Sequence, residues 1–267
     1  MKDKVIVITG GSAGIGAAFA TTAVARGAKV VVAARRKPEL DALVGTLGGN
    51  AFAVVTDVTK RADNDRLRDL AIEKFGHIDV WVANAGRGIS RPVSQLTDAD
   101  LDDMMTVNVK SVLYSIQSSL AHFRERKRGH IIAISSGLSR LPLAAFRSAY
   151  SASKAAVNLL MASLRLELRA EYPDIHCSTV IPGVVATNFG ANALHGGVDS
   201  RQIPNAQPVE EVADVIAKLV ETPRAEVYTR QFLHDLTARY FSAEDVAVIE
   251  NQPPFTTPPG SPGARGV

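Results

Sequence analysis

The chain has 267 residues, 46% of them hydrophobic, with one cysteine and a formal net charge of +3. That length and apolar content suit one α/β domain with a large core. A lone cysteine excludes an intrachain disulfide and points to a reducing compartment; the small net charge argues against nucleic acid as the main partner; and no apolar run approaches the roughly 20 residues of a membrane span.

Apolar, β-branched runs alternate with longer amphipathic stretches from the N-terminus onward. The pattern predicts a strand over 5–8, a helix over 14–26 closed by Gly27, and a strand over 29–33. A helix over 39–47 ends in Gly48-Gly49, and a strand over 52–55 follows. Next come a helix over 60–75 closed by Gly76 and a strand over 80–83. A long helix covers 98–126 with Thr97 or Asp98 as N-cap. It runs into Arg124-Glu125-Arg126-Lys127-Arg128, which lacks interleaved aromatics and reads as a solvated helix end.

A strand over 131–134, a helix over 149–171 stopped by Pro173 and a strand over 177–181 continue the series. A helix over 208–220 and a seventh strand over 226–229 complete it. Continuous apolar strands alternating with helices imply an α/β fold. Right-handed crossovers make it a single doubly wound Rossmann-type domain over 1–250, its mostly parallel seven-stranded sheet covered by helices on both faces. The stretch 187–207, rich in Ala, Gly, Asn and His, is expected to form a substrate lid. The region 230–250 reads as helical, and its Phe232, Leu233, Leu236, Tyr240 and Phe241 need a partner surface. The Pro- and Gly-dense stretch 251–267 is expected to be a disordered tail. Lys2 and Lys4 precede only four apolar residues, too few for a secretory signal, so a cytoplasmic location is expected.

Between the first strand and its helix lies Thr9-Gly10-Gly11-Ser12-Ala13-Gly14-Ile15-Gly16. Glycines there let backbone N–H groups and the positive helix end approach a dinucleotide phosphate. Strand two ends in Ala34-Arg35-Arg36. Adjacent guanidinium groups pair with a 2′-phosphate, and Ser12 adds a hydrogen bond, so NADP(H) is expected over NAD(H). In Tyr150-Ser151-Ala152-Ser153-Lys154 a phenol and an ammonium stand four residues apart on one helix, so they share a face. A nearby cation lowers the phenol pKa, which a tyrosine acid/base needs near neutrality.

These two segments together resemble the classical short-chain dehydrogenase/reductase family, from Lys4 to about Tyr228. The G-x-x-x-G-x-G spacing of Gly10, Gly14 and Gly16 is the one that family uses. At Ala34 NAD-preferring members carry a carboxylate, absent here. The resemblance implies an adenine contact at Asp57-Val58 and a sheet-bracing and cofactor element at Asn84-Ala85-Gly86. It also implies that Pro182-Gly183, with Val185 and Thr187, wraps the nicotinamide. Tyr150 is then the acid/base, and Ser136 rather than Ser135 polarises the substrate oxygen. Lys154 lowers the tyrosine pKa and binds the ribose, and Asn108 holds a water that relays protons. Members are commonly homodimers or homotetramers.

The expected reaction moves hydride between nicotinamide and a carbonyl or secondary alcohol. Leu138, Leu141, Leu143 and Phe146, with Val185, Phe189 and Leu194 of the lid side, suggest a hydrophobic small-molecule substrate. Two alternatives are an enoyl reductase relative, which spaces its Tyr and Lys more widely, and a non-catalytic NADP(H)-binding module, which often loses one of them. No metal site is expected, because the six histidines lack ligand spacing. Cys177, Trp81 and Met104-Met105 read as packing residues, and His195 as a loop histidine.

Overall fold

The computed structural model describes residues 1–256. Seven strands, β1 (Val5–Thr9), β2 (Lys29–Ala34), β3 (Ala51–Val55), β4 (Val80–Ala83), β5 (Gly129–Ile134), β6 (Ile175–Ile181) and β7 (Glu226–Tyr228), form one sheet in the order β3-β2-β1-β4-β5-β6-β7. All six pairings are parallel. The order reverses between β1 and β4, which opens a crevice at the C-terminal strand ends.

The helices are α1 (Gly14–Ala25), α2 (Lys37–Leu47), α3 (Arg61–Phe75), α4 (Asp98–Met104), α5 (Ser111–Arg126), α6 (Ser148–Leu168), α7 (Val209–Glu221), α8 (Gln231–Ser242) and α9 (Val246–Glu250). Among the described residues none is long and apolar enough to cross a membrane. Strand side chains alternate between faces, so a sheet covered on both sides needs apolar residues at every position. In β1, Ile6 and Ile8 pack with Phe19 of α1 and Ile216 of α7, while Val7 packs with Leu67, Ile116 and Met161 on the other face.

The stretch 98–126 is one continuous path with a π-helical turn, Met105–Lys110, set between α4 and α5. Such a turn holds one extra residue and is common at functional sites; here it carries Asn108. Thr97 caps α4 through a reciprocal capping box with Asp100. β6 starts two residues before the predicted boundary because Gly129 pairs with Ile175 and His130 with His176. The polar His176 there hides the strand pattern. Region 230–250 divides into α8 and α9, with Asp245 capping α9.

α8 supplies its own partner surface: Leu233 and Tyr240 are buried with Leu141, Leu143 and Leu236. The stretch 251–267, expected as a disordered tail, is described as far as residue 256. Residues 251–256 turn back so that Phe255 stacks on Tyr240, ring centroids 5.5 Å apart. The rest of that stretch, 257–267, lies outside the described residues.

Candidate active site

The glycine loop, Arg35 and Arg36, Asp57, Asn84, Ser136 and Pro182-Gly183 sit at or just beyond strand C-terminal ends, where the parallel sheet opens, while Asn108, Tyr150 and Lys154 lie on helical segments. After β1, α1 begins without a side-chain cap and without an acidic residue in its first turn. Its leading N–H groups are thus left for an external anion. The glycines are there for space. A Cβ on Gly16 would lie 2.4 Å from the Gly10 carbonyl oxygen, and one on Gly10 would lie 2.8 Å from Asn84 Nδ2. Gly14, at φ +55°, passes under Thr187, whose Cγ2 would meet a Cβ at 3.2 Å. Thr187, beyond β6, thus lies against the glycine loop.

Arg36 Nη2 donates to Ser12 Oγ at 3.0 Å, and its Nη1 pairs with Glu39 at 3.0 Å. Arg36 and Ser12 therefore already meet beside the α1 N-terminus. Asp57 follows β3 and accepts from the Thr59 hydroxyl at 2.7 Å. Burial pushes its carboxyl up, but the Thr59 bonds, with Arg35 and Lys60, hold it below the usual range. Asn84 Nδ2 donates to the Thr9 and Gly10 carbonyls at 3.0 and 3.2 Å, tying β4 to the glycine loop. Uncapped donors and Cβ-free walls fit the phosphates of a nicotinamide dinucleotide. Such a nicotinamide group supplies or accepts the hydride when bound.

Lys154 and Tyr150 lie on α6 next to the end of β5. Lys154 is 3% exposed, and its Nζ donates to the Ile134 carbonyl at 2.8 Å. Burial pushes this amine down to about 8. Tyr150 is 8% exposed, and its ring packs on Phe189 with centroids 5.5 Å apart. Burial raises the phenol pKa, whereas the nearby Ser136 hydroxyl and the Arg147 charge pull it back. Lys154 Nζ stands 5.9 Å from the Tyr150 ring centroid, but the cation acting on the phenol in this state is Arg147. Arg147 stands at i−3 from Tyr150, a spacing that could have pointed to it in the sequence.

Ser136 Oγ accepts from Leu138 N at 3.2 Å, which fixes the hydroxyl at the site. Ser135 instead turns inward and donates to the Lys154 carbonyl at 3.3 Å. Asn108 is fully buried in the π-turn. Its Nδ2 donates to the Arg87 carbonyl at 2.9 Å and to Ser153 Oγ at 3.0 Å, while Oδ1 accepts from Arg87 N at 2.9 Å. The amide is thus largely committed to bracing the 86–87 loop, with one Oδ1 lone pair left open.

The apolar wall is smaller than expected. Leu138, Phe189 and Leu194 gather around Ile89, Met104 and Tyr150. Leu141 and Leu143 join the α8 cluster instead, because Leu233 packs over Gly137 and Gly183 and draws that segment toward α8. Phe146 points outward, 50% exposed, and Val185 is core. The 187–207 stretch is docked on the 88–91 loop. Leu194 N donates to Gly88 O, and Ser90 N to Leu194 O, each at 2.9 Å. His195 reaches Asp100 at 2.6 Å, and Arg91 joins the same carboxylate at 2.8 Å. The sequence missed this three-residue cluster, whose partners lie on separate segments.

Residues 4–196 match the family model for short chain dehydrogenases. The chain belongs to the short-chain dehydrogenase family. An uncharacterised oxidoreductase of Listeria innocua is 43% identical over 194 residues, 71% of this chain and 77% of that protein. The closed form of a serine dehydrogenase complexed with NADP+ is 25% identical with a TM-score of 0.78, covering 84% of this chain and 93% of that one. The 3-ketoacyl-(acyl-carrier-protein) reductase of Brucella melitensis complexed with NADH is 27% identical with a TM-score of 0.76, covering 85% and 98%. The chain is thus an oxidoreductase of this family with a nicotinamide-cofactor site.

Proposed function

We propose that this short-chain dehydrogenase is an NADP(H)-dependent oxidoreductase acting on a carbonyl or secondary alcohol. The observation that carries the reading is the grouping of Ser136, Tyr150 and Lys154, with Lys154 Nζ 3.3 Å from where a Cβ on Gly86 would stand, in the turn whose Asn84 is bonded to the glycine loop. Ser12, Arg35 and Arg36 hold the 2′-phosphate, and Gly10, Ala13, Gly14, Ile15 and Gly16 supply the close backbone for the bridging phosphates. Asp57, Val58, Asn84, Ala85 and Gly86 line the adenosine side, and Pro182, Gly183, Val185 and Thr187 line the nicotinamide side.

Ser136 Oγ and the Tyr150 hydroxyl hold the substrate oxygen, and Tyr150 gives it a proton as charge develops there. Lys154 keeps its ammonium near the phenol and the ribose hydroxyls. Asn108, through its open Oδ1 lone pair, holds the water that returns the proton. Leu138 and Phe189 cover the apolar part of the substrate, and the stretch 187–207 acts as the lid. Leu159 and Leu166 on α6 are 69% and 64% exposed, which supports a homo-oligomer paired through this helix.

Tyr150→Phe tests the reading. NADPH-dependent reduction of aromatic aldehydes should fall by about 10²–10⁴-fold, with the NADPH dissociation constant changed by less than a few-fold. Wild-type turnover in that variant would overturn it.

A further inference from the structure

At the end of the sheet opposite the cofactor crevice, a cavity of about 200 Å³ opens where β6 begins, between the end of α6 and the turn that leads into β7. Arg165 and Arg169 line it from the α6 side and Arg224 from the turn before β7. Among the described residues no carboxylate lines it. Arginines elsewhere are spent: Arg26 pairs with Asp214, Arg124 with Glu167 and Arg140 with Glu226. Among the described residues the guanidinium groups of Arg165, Arg169 and Arg224 make no hydrogen bond or ion pair. Like charges four residues apart on a helix repel, and an anion between the three cations would offset that cost.

The walls of the cavity are anchored. Ser178 Oγ donates to the Arg224 carbonyl at 2.6 Å and meets His130 Nε2 at 2.7 Å. Ser178 and His130 are both buried, so the backbone that carries Arg224 is held in place. The Arg165 charge reaches the floor: burial pushes the Cys177 thiol up to about 12, and Arg165 pulls against it. The volume lies below the roughly 300–1,000 Å³ of pockets that engulf an organic ligand, so the cavity suits a small anion. Arg165 and Arg169 stand one helical turn apart, with Cβ atoms about 5–6 Å from each other. Each planar fork takes two oxygens of one phosphate, so two linked phosphates engage both forks while Arg224 closes from the other side.

We propose that this cavity is a second binding site, for a small diphosphate anion held by Arg165, Arg169 and Arg224. It lies a strand length from the nicotinamide crevice, about 20 Å along β6, so its ligand binds together with the cofactor and not in its place.

Pyrophosphate and phosphate, titrated calorimetrically into the protein saturated with NADP+, test it; the bound cofactor keeps either anion from the glycine loop. Pyrophosphate should bind at least tenfold tighter than phosphate. Arg224→Glu should weaken pyrophosphate binding at least tenfold. Lys74→Glu makes the same change of charge on α3, beside Phe52 of β3 at the opposite edge of the sheet, and should leave binding within twofold. The thermal melt of each variant reports whether it is folded. Equal affinity for the two anions, equal losses in the two folded variants, or no binding of pyrophosphate would overturn the proposal. Failure of NADP+ to bind the wild-type protein would strike the oxidoreductase reading, while the comparison of Arg224→Glu with Lys74→Glu would still decide this one.

Discussion

Replacing Lys154 by Met removes a buried cation and keeps much of its aliphatic volume. Lys154 is 3% exposed, and burial brings its pKa from 10.5 to about 8. A depression of that size corresponds to about 3 kcal/mol against folding while the amine is charged. The sign follows from proton counts. Below about pH 8 both folded and unfolded chains carry the proton, so the penalty is full; between pH 8 and 10.5 the folded chain loses it first, and stability rises. Met also strands the Ile134 carbonyl, now bonded to Nζ at 2.8 Å, at a cost of about 1–2 kcal/mol. Cofactor-free Lys154→Met should therefore be more stable at pH 7.5 by about 1–2 kcal/mol. That advantage should shrink by about 2 kcal/mol by pH 10. Urea unfolding at both pH values, followed by fluorescence of Trp81, the single tryptophan and fully buried, measures the difference. An advantage that does not change with pH would refute a charged, desolvated Lys154.

Two further substitutions address the cofactor side. Arg35→Asp places a carboxylate where a 2′-phosphate is expected, and the ratio of NADH to NADPH dissociation constants should drop by about 10–100-fold; an unchanged ratio in paired titrations would remove Arg35 from the phosphate site. Gly16→Ala puts a Cβ 2.4 Å from the Gly10 carbonyl oxygen and 2.7 Å from Asn84 Nδ2. It should lower stability by about 1–3 kcal/mol and weaken NADPH binding more than tenfold. Wild-type melting and affinity would show that the loop can spread at no cost.

Much of the fold was legible because the sheet is buried on both faces. Runs such as Val5-Ile6-Val7-Ile8 and Val30-Val31-Val32-Ala33 have no polar side to offer water, so their type and parallel pairing follow from composition. The glycine loop and the Tyr150–Lys154 pair were equally legible, because their chemistry depends on local spacing: a strand–helix turn in one case, four residues of one helix in the other. The helix boundary at Thr97 was legible from its capping chemistry. The π-turn around Asn108 was not, since an extra residue in a helix leaves the apolar period nearly intact while changing which groups face the site.

The sequence by itself determined the doubly wound sheet, the glycine loop and the shared helix face of Tyr150 and Lys154, because each is written in residues near one another along the chain. Tertiary structure decided what depends on distant segments meeting. It set Thr187 over Gly14, Leu233 over Gly137 and Gly183, and Arg36 on Ser12. It took Leu143 and Phe146 out of the apolar wall, one into the α8 cluster and the other toward solvent. It also set Arg147 between the 88–91 loop and the 187–207 stretch. Burial and pairing are properties of packing, and no residue's charge environment is fixed until the elements around it have docked.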